Sequence, residues 1–147
     1  GLLRVMESVR TTDGNDGVFK LYWEFGARIH HDKESPFDPA DALATVGLDA
    51  SHAAAFDDDS WDSVIRAGMD EGLELVGNDV GTPIIAFDNS DGVKAGYFGP
   101  IISRIPTTEK SVAMWDALVT MMDVDSFFEL KRTRTEGPQP GDRPLPR

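Results

Sequence analysis

Cysteine is absent from all 147 residues. Its absence removes thiol nucleophiles, disulfides, thiolate metal ligands and dithiol redox motifs from the chain itself, and it leaves the redox compartment unread. Basic residues are scarce as well: 14 Lys and Arg stand against 26 Asp and Glu, a net charge of -12. That charge repels nucleic-acid phosphates and anionic membrane surfaces, so neither is an expected partner. No apolar run approaches the roughly 18 residues of a membrane span, and the opening Gly1-Leu2-Leu3-Arg4 is too short and interrupted for a signal peptide. A soluble chain is the expectation. Repeats, a Gly-rich phosphate loop, a haem motif and a Ser-His-Asp order with supporting context are all missing. The first residue is Gly rather than Met, which reads as a tag remnant or as an internal residue of something longer.

What is present is the length of one ordinary domain, enough to bury a core without staples. Leu2, Val5, Met6 and Val9 recur at helical spacing, and Thr12-Asp13-Gly14-Asn15-Asp16-Gly17 breaks the pattern. A second stripe, Val18, Leu21, Tyr22, Phe25 and Ile29, carries extra apolar surface at Phe19 and Trp23. Such a helix is too apolar for burial on one side; its second face is expected to meet core, a partner or a ligand. Asp38-Pro39 starts a helix with an acceptor at the cap and proline in the first turn, and Gly47 ends it. Residues 50–56 form a further short helix, and Asp57-Asp58-Asp59 places negative charge at the N-terminus of the next. That next helix, over 60–76 with Gly77 as its cap, is expected to be the longest, and its Gly68 and Gly72 suggest close approach of another backbone.

Residues 80–87, Val-Gly-Thr-Pro-Ile-Ile-Ala-Phe, read as a proline-gated entry into a buried strand. Pro83 has no N–H for a ladder and forces Thr82 into an extended conformation; the bond between them is either a candidate cis bond or an ordinary trans strand start. An exposed, fixed main chain at Thr82 can pair with an extended peptide or a small amide-bearing ligand. Asn89-Ser90-Asp91-Gly92 then turns the chain into a second strand over 93–98, making a hairpin. A final helix from Thr107 or Thr108 carries Val112, Trp115, Leu118, Val119 and Met122 on a core face, and Phe127, Phe128 and Leu130 anchor a last segment. A lone hairpin with so apolar a first strand expects neighbours that these residues do not provide.

Other constellations have plain readings. His30-His31-Asp32 with His52 lacks an i, i+4 histidine pair, so no metal site is expected. The aspartate run at 57–59 lacks calcium-loop spacing and reads as a solvated cap. Lys131, Arg132 and Arg134, the one basic cluster, read as positive charge at a helix end or as a patch for an anionic partner.

The order of helices, long helix, Val-Gly-Thr-Pro strand, hairpin, Phe98-Gly99-Pro100 and Trp115-Asp116 resembles the back half of a DsbA-like thioredoxin-fold protein. Residues 127–135, Phe-Phe-Glu-Leu-Lys-Arg-Thr-Arg-Thr, and Arg28-Ile29-His30 are similar to that family's mycothiol-dependent nitroreductase branch. The resemblance implies an α/β thioredoxin-like fold with an inserted helical domain, here a mostly α fragment with a β-hairpin from an incomplete sheet. It divides the chain into a partial helical insertion at 1–58, the C-terminal half of the thioredoxin-like domain at 59–135, and a disordered Pro-rich tail at 136–147. Gly81, Thr82 and Pro83 match the family's cis-proline loop, which contacts thiol substrates; Trp23 and Tyr22 offer a surface for an aromatic substrate. The family's Cys-Pro-x-Cys front half is not in these residues. The implied function is the C-terminal part of a cytoplasmic thiol-disulfide oxidoreductase that uses mycothiol as co-substrate, without a covalently bound cofactor, on nitroaromatic or disulfide substrates, inert as given. Its expected partner is the missing N-terminal half or a second copy that completes the sheet, possible as a homodimer. The alternatives are a non-catalytic module that pairs through an open sheet edge, and a fragment of a glutathione-dependent isomerase of the same fold.

Overall fold

Short-range apolar spacing and capping chemistry account for most of the elements in the computed structural model, which describes residues 1–146. Two compact units result: Gly1–Gly68 with residues 142–146, and Met69–Gly141.

In the first unit, helix α1 (Leu2–Ala27) runs through the expected break as one element kinked at Gly14, whose φ of 63° and ψ of -158° leave helical space. Val5 and Val9 before the kink, and Leu21 and Phe25 after it, are all buried. Residues four apart share a helix face, so both halves of α1 turn apolar stripes inward. Tyr22, expected in the second stripe, is instead 63% exposed; it follows Leu21 directly and so points off the buried face. Arg28–Asp32 forms a π-helical turn that closes at Lys33 in the left-handed region. Helix α2 (Pro39–Thr45) starts as the sequence dictates: Asp38 Oδ1 accepts from the Ala40 N–H at 2.9 Å, and proline sits in the first turn. Ala50–Asp57 and Asp59–Trp61 are 3₁₀ turns capped by the side chains of Asp49 and Asp58. The core joins Val5, Val9, Leu21, Phe25, Ala42, Leu43 and Val46. Each fully buried Leu or Val there contributes on the order of 1.5–3 kcal/mol of hydrophobic stabilisation.

Helix α3 (Asp62–Val76) is not the longest element, because α1 continues through its kink. Its N-terminus is held in the first unit by Arg4, which donates to Asp62 Oδ1 from Nε at 2.8 Å and to Oδ2 from Nη2 at 3.0 Å. A Cβ on Gly68, at the end of the first unit, would meet open space, and one on Gly72, in the second, would meet only the Ile84 side chain. Neither glycine of α3 serves a close backbone approach. The close approach lies at Gly96, where a Cβ would sit 3.0 Å from Leu75 Cβ.

Strands β1 (Ile84–Asp88) and β2 (Lys94–Phe98) pair antiparallel, with Ile84 opposite Phe98 and Asp88 opposite Lys94. Asn89 sets the turn: its Oδ1 accepts from the N–H groups of Asp91 and Val93. Helix α4 (Thr108–Met122) is capped by Thr107, and Trp115 lies 5.5 Å from the Phe87 ring. Tyr97 donates its hydroxyl to the Phe127 carbonyl at 2.8 Å.

The second unit departs from the sequence expectation in its burial. Met122 is its one buried apolar side chain among the described residues; Val112 and Trp115, expected on a core face, are 56% and 50% exposed, and Val119 is exposed too. Phe128 and Leu130, expected as anchors, are each 83% exposed, and only Phe127 packs, against Tyr97. A periodic stripe identifies an apolar face but not whether anything covers it. β1 likewise has both faces only half-covered.

The protein is therefore mostly helical with a two-stranded antiparallel sheet. No helix among the described residues is long and apolar enough to cross a membrane. In the tail, Gln139 bridges to Arg104 in the second unit, and Arg143 pairs with Asp32 in the first. Arg147 of the tail lies outside the described residues.

Candidate functional site

Gly81, Thr82 and Pro83 form the exposed loop at the mouth of the hairpin. The Thr82–Pro83 bond is cis. The Pro83 carbonyl accepts from the Gly99 N–H at 2.8 Å, one step beyond the Ile84–Phe98 pair. That bond ties the loop to the chain leaving β2. A Cβ on Gly81 would sit 4.0 Å from the Phe98 ring, so the aromatic flanks the loop on one side. Among the described residues, no backbone hydrogen bond involves Thr82. Its N–H and C=O are thus available to a ligand backbone, and strand-like pairing is the interaction they offer.

Trp23 and Tyr22 lie in the first unit, away from that loop in sequence. Trp23 is partly buried and stacks edge-on against Phe19 at 6.1 Å between centroids. Tyr22 points outward beside them. Together they expose aromatic faces and edges of the kind that hold a planar ligand.

The sequence reading missed an ionic cluster at the end of α1. Glu24 is 3% exposed; its Oε1 accepts from Arg28 Nε at 2.8 Å, while Oε2 has no hydrogen-bond partner. Arg28 also donates to Thr45 Oγ1 at 3.1 Å and stacks over the Phe37 ring. Arg143 from the tail donates to both oxygens of Asp32, with Nε 2.7 Å from Oδ1 and Nη2 2.8 Å from Oδ2. Hydrogen bonding to Arg143 holds the Asp32 carboxyl below its ordinary value. The i, i+4 spacing of Glu24 and Arg28 was a visible signal; the approach of Arg143 over 111 positions was not.

His52 is held by Ser8 Oγ at 2.8 Å on Nδ1 and by Thr12 Oγ1 at 3.2 Å on Nε2, while His30 points to solvent. Of the aspartate run, Asp58 caps the Asp59–Trp61 turn, and the Ser60 hydrogen bond lowers its pKa.

A family model described as mycothiol-dependent nitroreductase Rv2466c, of the Rv2466c-like family, matches residues 1–132 of the chain.

Proposed function

Because the chain belongs to the Rv2466c-like family of mycothiol-dependent nitroreductases, we propose that it forms the substrate-facing part of a mycothiol-dependent reductase with a DsbA-like thioredoxin fold. The family match carries this reading. The site geometry adds to it: a loop with a free main chain at Thr82, fixed at its base by the Gly99 bond, is suited to hold a thiol-bearing ligand in an extended pose.

The nucleophilic thiolate comes from polypeptide outside these 147 residues, since they contain no cysteine. Cysteine thiolates are made reactive by helix N-termini and nearby positive charge, and that equipment belongs to the part that supplies the thiol. Gly81, Thr82 and Pro83 position the mixed disulfide, while Trp23 and Tyr22 hold an electron-poor aromatic substrate. The completing polypeptide, an N-terminal half or a second copy, covers the exposed face of the second unit. The thiol-rich, reducing cytoplasm is where such chemistry would run.

The test is turnover of a nitroaromatic or disulfide substrate with mycothiol. The chain alone is expected to be inert, and addition of a polypeptide carrying the family's thiol motif is expected to restore activity. Turnover by the chain alone at the rate of a cysteine-containing relative would overturn the reading.

A second reading, a non-catalytic module that pairs through an open strand edge, is favoured by the two unpaired edges of the β1–β2 sheet. Sedimentation at high concentration separates the two: a strict monomer counts against the module.

A further inference from the structure

Residues 133–146 lie beyond the family match, and part of this stretch is docked. Residues 136–140, Glu-Gly-Pro-Gln-Pro, run alongside residues 102–106 of the second unit. The Gln139 N–H donates to the Ser103 carbonyl at 2.6 Å, and Arg104 and Gln139 form a parallel bridge. The Ser103 hydroxyl donates to the Glu136 carbonyl at 3.2 Å. Arg104 grips the Glu136 carboxylate, its Nε 3.0 Å and 2.9 Å from the two oxygens and its Nη2 on Oε2. The Gln139 side-chain amide returns to that same carboxylate at 3.3 Å.

Each feature of this contact follows from the residue types. Pro138 and Pro140 fix φ near -65° and favour an extended, polyproline-like course without donors of their own. Gln139 between them supplies the one N–H that can reach a neighbouring carbonyl. Residues 102–106 belong to neither strand of the sheet, so their main chain is open to a strand from elsewhere. Between the two segments lies a groove of about 250 Å³, lined chiefly by Ile102, Ile105, Pro106, Pro138 and Pro140. Ile105 remains 73% exposed with the tail in place. The tail therefore makes the polar contacts and leaves apolar surface beside them.

We propose that residues 102–106 are a receptor edge for an extended, proline-flanked peptide with an acidic residue three positions before its donor N–H, and that the chain's own tail fills this edge in cis. The Arg104–Glu136 pair is exposed, so it selects and orients more than it binds. Modest intrinsic affinity is enough, because a tethered ligand competes at an effective concentration on the order of millimolar. A peptide of the same pattern from another protein gains the edge only when the tail is displaced. This inference does not depend on the redox reading.

The test uses a fluorescent synthetic peptide spanning residues 135–146 and fluorescence polarisation. The chain truncated after Arg134 is expected to bind it, and the full chain to bind at least about tenfold more weakly, because its own tail competes. In the truncated chain, Arg104→Glu is expected to weaken binding about fivefold or more by setting like charges together, and a peptide with Glu136→Arg recovers it. Should truncation impair folding, the full chain with Gln139→Pro serves instead: it keeps the extended course, removes the donor to Ser103 and is expected to bind the peptide more tightly than the unaltered chain. Equal binding by full and truncated chains, no binding by a folded truncated chain, or indifference to the charge exchange would each overturn the proposal.

Discussion

The Gly99 N–H donates to the Pro83 carbonyl at 2.8 Å and thereby locks the loop entering β1 to the residue leaving β2. Gly99 does so at a φ of 111°, a conformation that L side chains rarely adopt. The relationship makes one backbone position responsible for the attitude of the whole Gly81-Thr82-Pro83 loop.

Gly99→Ala is accordingly expected to destabilise the second unit by about 1–3 kcal/mol. In the proposed reductase, completed by the thiol-bearing polypeptide, it should also raise KM for the thiol substrate. Urea unfolding followed by tryptophan fluorescence in a Trp23→Phe, Trp61→Phe background, which leaves Trp115 as the reporter, measures the first effect, and steady-state kinetics the second.

Leu43 and Leu21 are fully buried in the core of the first unit. Truncating either to Ala removes apolar contacts and leaves a cavity, at about 2–5 kcal/mol each. Chemical denaturation monitored by circular dichroism checks this; a cost below 1 kcal/mol would mean that this unit collapses around the gap.

Arg4 hydrogen-bonds Asp62 and lowers its carboxyl below the usual 3.8. A depressed carboxyl stabilises the fold above its unfolded value and loses that contribution as pH falls through its folded value. Asp62→Asn should therefore lower Tm by a constant amount across neutral pH. The difference from the unaltered chain should begin to shrink as pH falls to about 3.8 and vanish only once pH lies below the depressed folded value, where both carry a neutral side chain. Thermal scans across that range at fixed ionic strength test the sign.

Tyr22, at 63% exposure, sits off the core face of α1. Tyr22→Ala should leave stability within about 0.5 kcal/mol of the unaltered chain while raising KM for a nitroaromatic in the assembled reductase. An unchanged KM would remove Tyr22 from the substrate surface.

The parts of this protein that were legible in its sequence are those fixed by neighbours in the chain. Asp38-Pro39 announces α2 because a cap acceptor and a prolyl first turn act within three residues. Asn89 and Gly92 announce the hairpin in the same way, and Thr82-Pro83 marks the entry into β1. The break foreseen over six residues narrows to Gly14, the one position among them where the chain leaves helical space. The pairings that escaped notice cross long stretches of chain: Arg4 with Asp62, Arg143 with Asp32, and Gly99 with Pro83. The first two are carried by surface charges with no local periodicity, and the third by main-chain atoms that every residue possesses. The face of α4 was read correctly as apolar, but it is covered only towards Met122 and left open at Val112, Trp115 and Val119, since spacing fixes direction and only a neighbour provides burial. The loop at Gly81-Thr82-Pro83 was legible, while its fastening at Gly99 was not.

The bare side of α4 also governs how the chain behaves as a colloid. Val112, Trp115 and Val119 make it adhesive, and the net charge of -12 keeps copies apart. That repulsion reaches about 10 Å at 0.1 M salt and about 3 Å at 1 M, so added salt brings the adhesive surfaces within range of one another. Storage in dilute buffer preserves a dispersed solution, and salting-out or retention on a hydrophobic resin sets in earlier than for a chain of equal charge with Val112→Gln and Val119→Gln.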